Sequence, residues 1–219
     1  MNLESRPPIC FILGAGDPPS IAPALLPIDL LICADGGYAA ARRLGMAPSV
    51  LIGDFDSLGE PPLGDHELIR LPVEKDVTDT EAALLEGEKR GYRTFVLLGC
   101  TGGRPDHTYA AEQLLHGAAS RGLRVFLIGA SYTAFALSSE SVSFSPEAVG
   151  TVSVFAAGGE ARGVTLSGLK YPLTDATLSP LVPLGVSNAF LSGVPSRISV
   201  GDGVLLVFTE TENLRYASF

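Results

Sequence analysis

The chain has 219 residues, of which 46% are hydrophobic and 18% charged, and its formal net charge at pH 7 is −9. This composition is that of a globular protein rather than a disordered one, and the length allows one large domain or two small ones. The acidic balance argues against a nucleic-acid-binding surface, which would show clustered Lys and Arg. A polyanionic ligand would therefore have to be held by a metal ion or by a few well-placed basic groups.

The first half of the chain, from residue 9 to about 129, alternates short apolar runs with longer Ala-rich segments. The runs predicted to be strands are Ile9–Leu13, Leu30–Ala34, Val50–Ile52, Leu68–Leu71, Phe95–Leu98 and Val125–Ile128. The segments predicted to be helices are Tyr38–Leu44, Asp79–Arg90 and Asp106–Ser120, each followed by a glycine suited to a left-handed cap, namely Gly45, Gly91 or Gly122. This alternation predicts an α/β domain with a mainly parallel sheet.

After Gly129 the pattern changes to short β-branched or aromatic runs punctuated by glycines such as Gly158-Gly159. The predicted strands are Tyr132–Leu137, Val142–Phe144, Val152–Ala156, Val164–Leu166, Phe190–Leu191, Ile198–Val200 and Val204–Phe208. Several short strands with regular turn signals predict a β-sandwich or a small barrel. We therefore expect an α/β domain over residues 1–130 and an all-β domain, either a sandwich or a small barrel, over residues 131–219.

The three cysteines, Cys10, Cys33 and Cys100, are an odd set without C-x-x-C spacing. They are interpreted as buried free thiols of a reducing cytosol. The apolar run Ile9–Leu13 is too short for a signal-peptide core, and no apolar stretch reaches the eighteen residues of a membrane span. A soluble, cytoplasmic protein with no membrane contact is expected.

Aspartates beside glycines are the strongest functional signal in the first half. They occur in residues 34–37, 53–57, 75–79 and 102–107. Three of these four segments follow a predicted strand, and the carboxyl ends of parallel strands meet at one edge of a sheet, where ligands bind. Carboxylates gathered there would repel one another without a cation, and oxygen ligands of this kind suit Mg²⁺ together with substrate phosphates. The sequence predicts a site for a metal–nucleotide complex.

Asp54 and Asp56 flank Phe55. If this piece is extended, both carboxylates face one way and can chelate one divalent ion, while Phe55 faces the core. The alternative is an ordinary turn, since Gly-Asp and Asp-Ser are common in turns.

In the next motif, Asp76 or Thr78 could simply be a helix N-cap and Asp79 a first-turn acid. Placement at the same sheet edge as Asp54 favours a metal role for Asp79.

The segment from Gly99 to His107 is the most specific of the four. A glycine-rich loop between a strand and a helix lets backbone amides approach phosphate oxygens. Arg104 offers a planar fork for phosphate, and Asp106 could cap the helix or reach the metal. The alternative is a flexible loop with an incidental arginine, and His107 on its own is more typical of a structural histidine.

Two common nucleotide-binding motifs are missing from the sequence. Gly14-Ala15-Gly16 begins like a dinucleotide fingerprint, but Pro19 stands where the third glycine belongs. No lysine follows a glycine, so a Walker A loop is excluded.

Taken together, six ordered motifs resemble the thiamine pyrophosphokinase family over nearly the whole chain. They are Asp35-Gly36-Gly37, Gly53-Asp54-Phe55-Asp56-Ser57, Lys75-Asp76-Val77-Thr78-Asp79, Gly102-Gly103-Arg104-Pro105-Asp106-His107, Gly168-Leu169-Lys170-Tyr171-Pro172-Leu173 and Ser187-Asn188. The resemblance implies an α/β nucleotide domain followed by a β-sandwich. It also implies transfer of the pyrophosphoryl group of ATP to the hydroxyl of thiamine, giving thiamine diphosphate and AMP.

The resemblance also implies residue roles. Mg²⁺ would be bound by Asp54, Asp56 and Asp79, which with Arg104 and Asp106 form the catalytic set. The ATP site would include Asp35, Gly36, Gly37, Gly102, Gly103, Arg104 and His107. Thiamine would be held by Lys170, Tyr171, Pro172, Ser187 and Asn188 at a homodimer interface. Ala189 follows the Ser-Asn pair where many relatives carry an acidic residue, which leaves thiamine recognition at that position open.

Two other functions are compatible with parts of the pattern. One is pyrophosphoryl transfer to another small alcohol, such as a hydroxymethyl pterin, since the catalytic half would serve either substrate. The other is a non-catalytic nucleotide-binding sensor, although a sensor has no need of a transition-state fork such as Arg104.

Overall fold

The computed structural model describes residues 6–19, 22–55 and 64–219. The chain divides into two compact units. One contains the residues up to 111 together with 127–130, and the other contains residues 112–126 and 131–219. The predicted division of function at residue 130 stays a prediction. Within the described ranges, no helix is long and apolar enough to cross a membrane.

The first unit is built on five parallel strands in the order β5-β1-β2-β3-β4. The strands are β1 (Ile9–Leu13), β2 (Leu30–Ala34), β3 (Val50–Gly53), β4 (Glu67–Arg70) and β5 (Thr94–Leu98). The central strands are almost wholly buried, because helices cover a parallel sheet on both faces. This is why their sequences read as unbroken apolar runs.

Two helices, α1 (Gly37–Arg43) and α2 (Asp79–Lys89), pack against this sheet. Alternate side chains of β1 point to opposite faces. Phe11 shares a buried cluster with Ala40 of α1. On the other face Cys10 lies against α2, where a Cβ at Gly87 would come within 2.8 Å of its Sγ. The next elements are α3 (Pro105–Ala119) and β6 (Arg124–Ile128).

The second unit contains eight strands. They are β7 (Tyr132–Ser138), β8 (Ser141–Phe144), β9 (Thr151–Ser167), β10 (Leu173–Leu178), β11 (Asn188–Ala189), β12 (Ser196–Ser199), β13 (Asp202–Glu210) and β14 (Ala217–Ser218). A 3₁₀ helix over Thr211–Tyr216 precedes β14. Every strand pairing within this unit is antiparallel. Phe135 and Phe144 are among the largest fully buried side chains of its core. The predicted α/β organisation with a β-rich second half is confirmed.

The longest strand corrects one expectation. Gly158-Gly159 was expected to separate two strands, but β9 runs through both glycines as one strand of 17 residues. Its first part pairs with β13 up to Ala157, and the register shifts before Arg162 pairs with Asp202. Gly158, with φ of 73°, begins this irregular stretch. The glycines therefore serve a bulge that bends a continuous strand rather than a turn that ends it.

Two further strand predictions need correction. Phe190–Leu191 is not a strand, since β11 is Asn188–Ala189 and Phe190 makes only an isolated bridge to Leu169. β10 was not predicted from the sequence, and it is an irregular strand: Asp175 has φ of 50°, and the register against β9 shifts on both sides of Ala176.

The three cysteines are free and buried, as the sequence predicts. Burial raises the pKa of the Cys10 and Cys33 thiols to about 12.

Candidate active site

Two adjacent cavities of about 330 and 240 Å³ open within the first unit, at the carboxyl ends of its parallel strands. Both are lined by Ala15, Asp35, Thr78, Thr80 and His107. The larger one adds the glycine-rich loop after β5, and the smaller one adds the start of α2. Three of the four segments that the sequence selected, residues 34–37, 75–79 and 102–107, thus contribute to cavities at one edge of the sheet.

Asp35 lies at the centre of this edge, directly after β2. Its backbone is in the left-handed region, with φ of 45°, and is held there by a hydrogen bond from its N–H to the Ile52 carbonyl at 2.8 Å. Its Oδ1 is buried and accepts no hydrogen bond from the described residues. Because a buried carboxylate oxygen needs a partner, this atom suits a cation or a hydrogen-bond donor supplied by a ligand.

Asp54, at the end of β3, and Asp79, the first residue of α2, are linked by a lysine. Lys75 Nζ lies 3.6 Å from Asp54 Oδ2 and 3.2 Å from Asp79 Oδ1. The side chains are 13%, 15% and 27% exposed for Lys75, Asp54 and Asp79. The Lys75–Asp79 contact is an ion pair rather than a well-directed hydrogen bond, since Asp79 Oδ1 accepts no hydrogen bond from any residue in the described ranges. The structure therefore places two of the three predicted metal ligands around one positive charge.

The third predicted ligand, Asp56, lies in residues 56–63, outside the described residues. Among the residues that the structure describes, no three His, Cys, Asp or Glu side chains form a metal-binding group. The argument for Asp56 also changes. Phe55 is buried in the core as expected, at 2% exposure, but its φ is 60°. The piece is therefore not extended, and alternation along a strand cannot place Asp54 and Asp56 on one side.

Thr78 settles which residue caps α2. Its side chain accepts a hydrogen bond from the Glu81 N–H at 3.1 Å, and its backbone is extended, as at an N-cap. The capping role thus falls to Thr78 and not to Asp76. Asp79 does not cap the helix and is among the residues that line the smaller cavity.

The predicted glycine-rich loop follows β5, and three of its glycines have left-handed backbone. Gly99, Gly102 and Gly103 have φ values of 61°, 80° and 64°, in the region that glycine tolerates best. A Cβ at Gly102 would also lie 2.0 Å from Asp17 Oδ2. Asp17 therefore lies against the loop, a contact that no motif of the sequence indicates.

Gly14 and Gly16 have a packing role. The N–H of Gly14 donates to Leu98 O at 2.8 Å, and that of Gly16 donates to Gly99 O at 2.6 Å. A Cβ at Gly16 would lie 2.3 Å from Thr101 O. The glycines thus let two backbones run side by side beyond β1 and β5. They are not a dinucleotide fingerprint.

Gly37 is likewise constrained by packing. A Cβ there would lie 1.9 Å from the Leu13 carbonyl oxygen, so α1 can approach β1 only with glycine at this position. Gly36 is the N-cap residue of α1, and a Cβ added at this position would lie 3.0 Å from the Ala15 methyl group. Gly37 is therefore needed to form this edge of the site, whereas the contact at Gly36 is tight but less restrictive.

We expect Gly37→Ala to lower the free energy of unfolding by about 1–3 kcal/mol or more, because backbone must move to relieve the clash. Thermal denaturation measures this. Gly117→Ala is the matched control, since Gly117 lies in α3 and its added Cβ meets only an Arg121 side-chain atom at 4.0 Å. The control should be neutral or stabilising. An equal loss in both variants would contradict the packing argument.

Arg104 and Asp106 lie where the sequence places them but are bound to each other. Arg104 Nε and Nη2 donate to the two carboxylate oxygens of Asp106 at 3.2 and 2.5 Å. These hydrogen bonds lower the pKa of Asp106 and raise the pKa of Arg104. Both side chains are well exposed, at 70% and 64%. Arg104 also lines the larger cavity, so its fork can exchange Asp106 for an incoming anion.

The second unit has its own cavity of about 220 Å³, whose lining includes Tyr171, Leu184 and Asn188. Asn188 is 4% exposed, and its side-chain amide forms hydrogen bonds with the backbone of Tyr171. Its Oδ1 accepts from the Tyr171 N–H at 2.9 Å, and its Nδ2 donates to the Tyr171 carbonyl at 2.7 Å. Tyr171 is held by this clamp, while its side chain stays 57% exposed.

The neighbours of this clamp complete the segment. Lys170 Nζ lies 5.3 Å from the centroid of the Tyr171 ring, so one side of the ring already faces a cation. The exposed Pro172 leads into β10. Ser187 has φ of 58°, and its N–H donates to Ser153 Oγ at 3.0 Å. Ala189 pairs with Thr151 in β11.

Comparison with known proteins identifies the family. The model described as thiamin pyrophosphokinase, catalytic domain, matches residues 25–127. The model described as thiamin pyrophosphokinase, vitamin B1 binding domain, matches residues 141–205. The chain belongs to the thiamine pyrophosphokinase family.

Individual proteins that are similar to this chain carry the name of the same family. Thiamine pyrophosphokinase from Bacillus subtilis (strain 168) is 26% identical over 208 residues, which cover 90% of this chain and 97% of the relative. The crystal structure of thiamine pyrophosphokinase from Bacillus subtilis superposes with a TM-score of 0.78 at 23% identity, covering 94% of this chain and 99% of the other. That of thiamin pyrophosphokinase from Geobacillus thermodenitrificans gives 0.75 at 24% identity, covering 93% and 97%. These two crystal structures have the same fold as this chain.

In this member of the thiamine pyrophosphokinase family, the sequence motifs contain most of the residues at this edge of the sheet, but they did not indicate a role for three residues there. Lys75 belongs to the third motif, but the motif alone indicates no role for it. Its one signal is that it is the single basic residue in an acidic segment. Thr80 and Asp17 carried no signal, because their positions in the site depend on the packing of neighbouring loops.

Proposed function

We propose that this chain transfers the pyrophosphoryl group of ATP to the hydroxyl of thiamine, releasing AMP and thiamine diphosphate. The observation that carries the proposal is the convergence of Asp35, Asp79 and Arg104 on two adjoining cavities at one sheet edge. A phosphoryl-type transfer depends mainly on positioning and charge neutralisation. An acidic cluster beside a glycine-rich loop with an arginine provides both.

The nucleotide binds in the larger cavity. Gly102 and Gly103 allow the backbone to approach the phosphates, and Arg104 forms two parallel hydrogen bonds to phosphate oxygens. His107 lines both cavities and stands beside the bound phosphates. The thiol of Cys100 takes no part, because burial raises its pKa to about 11.

The residues at this edge fit a divalent cation. Asp35 Oδ1 is a buried acceptor that receives no hydrogen bond from the part of the chain that the structure describes, and Asp54 and Asp79 already surround a positive charge. Asp54 and Asp79, with Asp56 as the third, would hold Mg²⁺, and Asp35 would lie beside it. When bound, the ion would neutralise phosphate charge during the transfer.

The thiamine hydroxyl must lose its proton as it attacks, and a carboxylate is the natural acceptor. Asp54 and Asp79 would be occupied as ligands of the divalent cation. Asp35 Oδ1 accepts no hydrogen bond among the described residues, and it lines both cavities. It is therefore our candidate for the proton acceptor.

Thiamine recognition falls to the second unit. Tyr171 presents its exposed ring to the cationic thiazolium, a contact worth on the order of 0.5–2 kcal/mol. Asn188 acts mainly by holding the Tyr171 backbone, since its amide is already used there. Ser187, Lys170 and Pro172 complete the segment. The homodimer with thiamine at the subunit interface, and a cytoplasmic location, stay predictions.

We expect Tyr171→Leu to weaken thiamine binding roughly 2- to 30-fold, the range set by the stacking energy. ATP binding and the melting temperature should change little, because the ring is more than half exposed. Calorimetric titration of each ligand, paired with a melting curve, measures both effects. Tyr109→Leu, at a tyrosine of 63% exposure in α3, is the control. A fall in melting temperature with equal loss of both ligands would instead make Tyr171 a packing residue.

The function itself is tested by measuring AMP from ATP and Mg²⁺ in three parallel reactions: with thiamine, with a hydroxymethyl pterin, and without acceptor. We expect AMP only with thiamine. AMP that depends on the pterin would favour the alternative enzyme. Nucleotide binding without AMP in any reaction would favour a sensor.

A further inference from the structure

The position of Lys75 has a consequence for metal binding. Its ammonium is within 4 Å of carboxylates from two separate elements, Asp54 after β3 and Asp79 at the start of α2. A further contact to the Pro72 carbonyl, at 3.5 Å, helps to hold it there. At 13% exposure its side chain is withdrawn from solvent. Solvent therefore screens these ion pairs less than it screens pairs at the surface.

Another lysine of the same region shows the difference. Lys89, at the other end of α2, is 79% exposed and pairs with Glu86 of its own helix, an arrangement that contributes little. Lys75 instead joins carboxylates that would otherwise repel each other across the gap between β3 and α2. Its charge occupies the space in which a divalent cation would serve the same two groups.

We propose that Lys75 is a built-in counter-cation that keeps Asp54 and Asp79 together in the free protein and competes with the metal for them. The inference rests on the proposed function, because it takes these two carboxylates as metal ligands. A dication and an ammonium group cannot share the same pair of carboxylates without strong repulsion. A free divalent ion must therefore displace Lys75 from both partners in order to bind.

A nucleotide changes this balance. Mg²⁺ is usually bound by one or two carboxylates together with substrate phosphates. The phosphates bring negative charge for the metal and also a new partner for the displaced ammonium, which lines the smaller cavity. Lys75 would consequently release the two carboxylates when the metal arrives together with ATP, and it would then pair with the phosphates.

Binding of Mn²⁺ to the nucleotide-free protein, followed by the loss of the free-ion electron paramagnetic resonance signal, tests this directly. We expect Lys75→Met to bind Mn²⁺ about tenfold or more tightly than the wild type, because a nearby positive charge is removed. Lys75→Arg keeps the charge and Lys89→Met removes a charge elsewhere, so both should bind as the wild type does. Unchanged or weaker binding in Lys75→Met would overturn the proposal.

Two further variants close the remaining gaps. Lys75→Gln retains a hydrogen-bond donor and takes the place of Lys75→Met if that variant does not fold. Asp79→Asn in the Lys75→Met background should abolish the gain, and a gain that persists would show that Mn²⁺ binds elsewhere and overturn the proposal. Thiamine-dependent AMP formation is measured separately. Its absence would count against the proposed function alone, whereas the Mn²⁺ result decides the role of Lys75.

Discussion

Asp79→Asn is expected to lower turnover by roughly 10²- to 10³-fold, since charge neutralisation at such a site supplies several kcal/mol and each 1.36 kcal/mol is tenfold in rate. The side chain keeps its shape and loses its charge. Thr78, which fixes the start of α2, is untouched, so the fold should survive. The same substitution at Asp56 is expected to act in the same direction from the sequence alone.

The comparison is kcat at saturating Mg²⁺ and ATP, together with a melting curve. Glu81→Gln is the matched control, because Glu81 is also a first-turn acid of α2 but lines neither cavity. Near-native turnover of Asp79→Asn would remove this residue from the catalytic set. A similar fall in Glu81→Gln would point to helix stability rather than to the site.

Arg104→Lys should reduce kcat by a comparable factor, roughly 10²- to 10³-fold, the typical value of one preorganised donor to developing charge. Lysine keeps the charge but cannot form the two parallel hydrogen bonds of the guanidinium fork. Asp106 already receives such a pair from Arg104, so the fork can form two parallel hydrogen bonds to a carboxylate at this place. Stability should not change, because the side chain is 70% exposed.

Steady-state kinetics separates the possible outcomes for Arg104. We expect a lower kcat with a nearly unchanged KM for thiamine. Arg162→Lys is a suitable control, since Arg162 is 62% exposed and pairs with Glu160 two residues away, as Arg104 pairs with Asp106. An increase confined to the thiamine KM would place Arg104 at the acceptor rather than at the transferring group.

The sequence predicts the first unit better than the second, for a physical reason. Buried parallel strands appear as unbroken apolar runs, and Ile9–Leu13 and Leu30–Ala34 were predicted to the residue. In the second unit, β9 bends through two glycines and belongs to two sets of pairings. A glycine pair has the same local signal in a bulge as in a turn, so only the partner strands decide between them.

The candidate site shows the same division. Spacing and chain order were sufficient to predict that Asp35, Asp79 and Arg104 lie at one edge, because the carboxyl ends of parallel strands meet at the same edge of a sheet. Spacing could not show that the Asn188 amide is taken up by the Tyr171 backbone. Nor could it show that Lys75 lies between two carboxylates, since this depends on distances between separate elements.

The central claim is that the group transferred is pyrophosphoryl and that thiamine receives it. Phosphorus nuclear magnetic resonance of a reaction containing the protein, ATP, Mg²⁺ and thiamine distinguishes the possible products in one spectrum. We predict AMP and thiamine diphosphate in equal amounts, with no ADP. ADP accompanied by thiamine monophosphate, or AMP without a thiamine product, would contradict the claim.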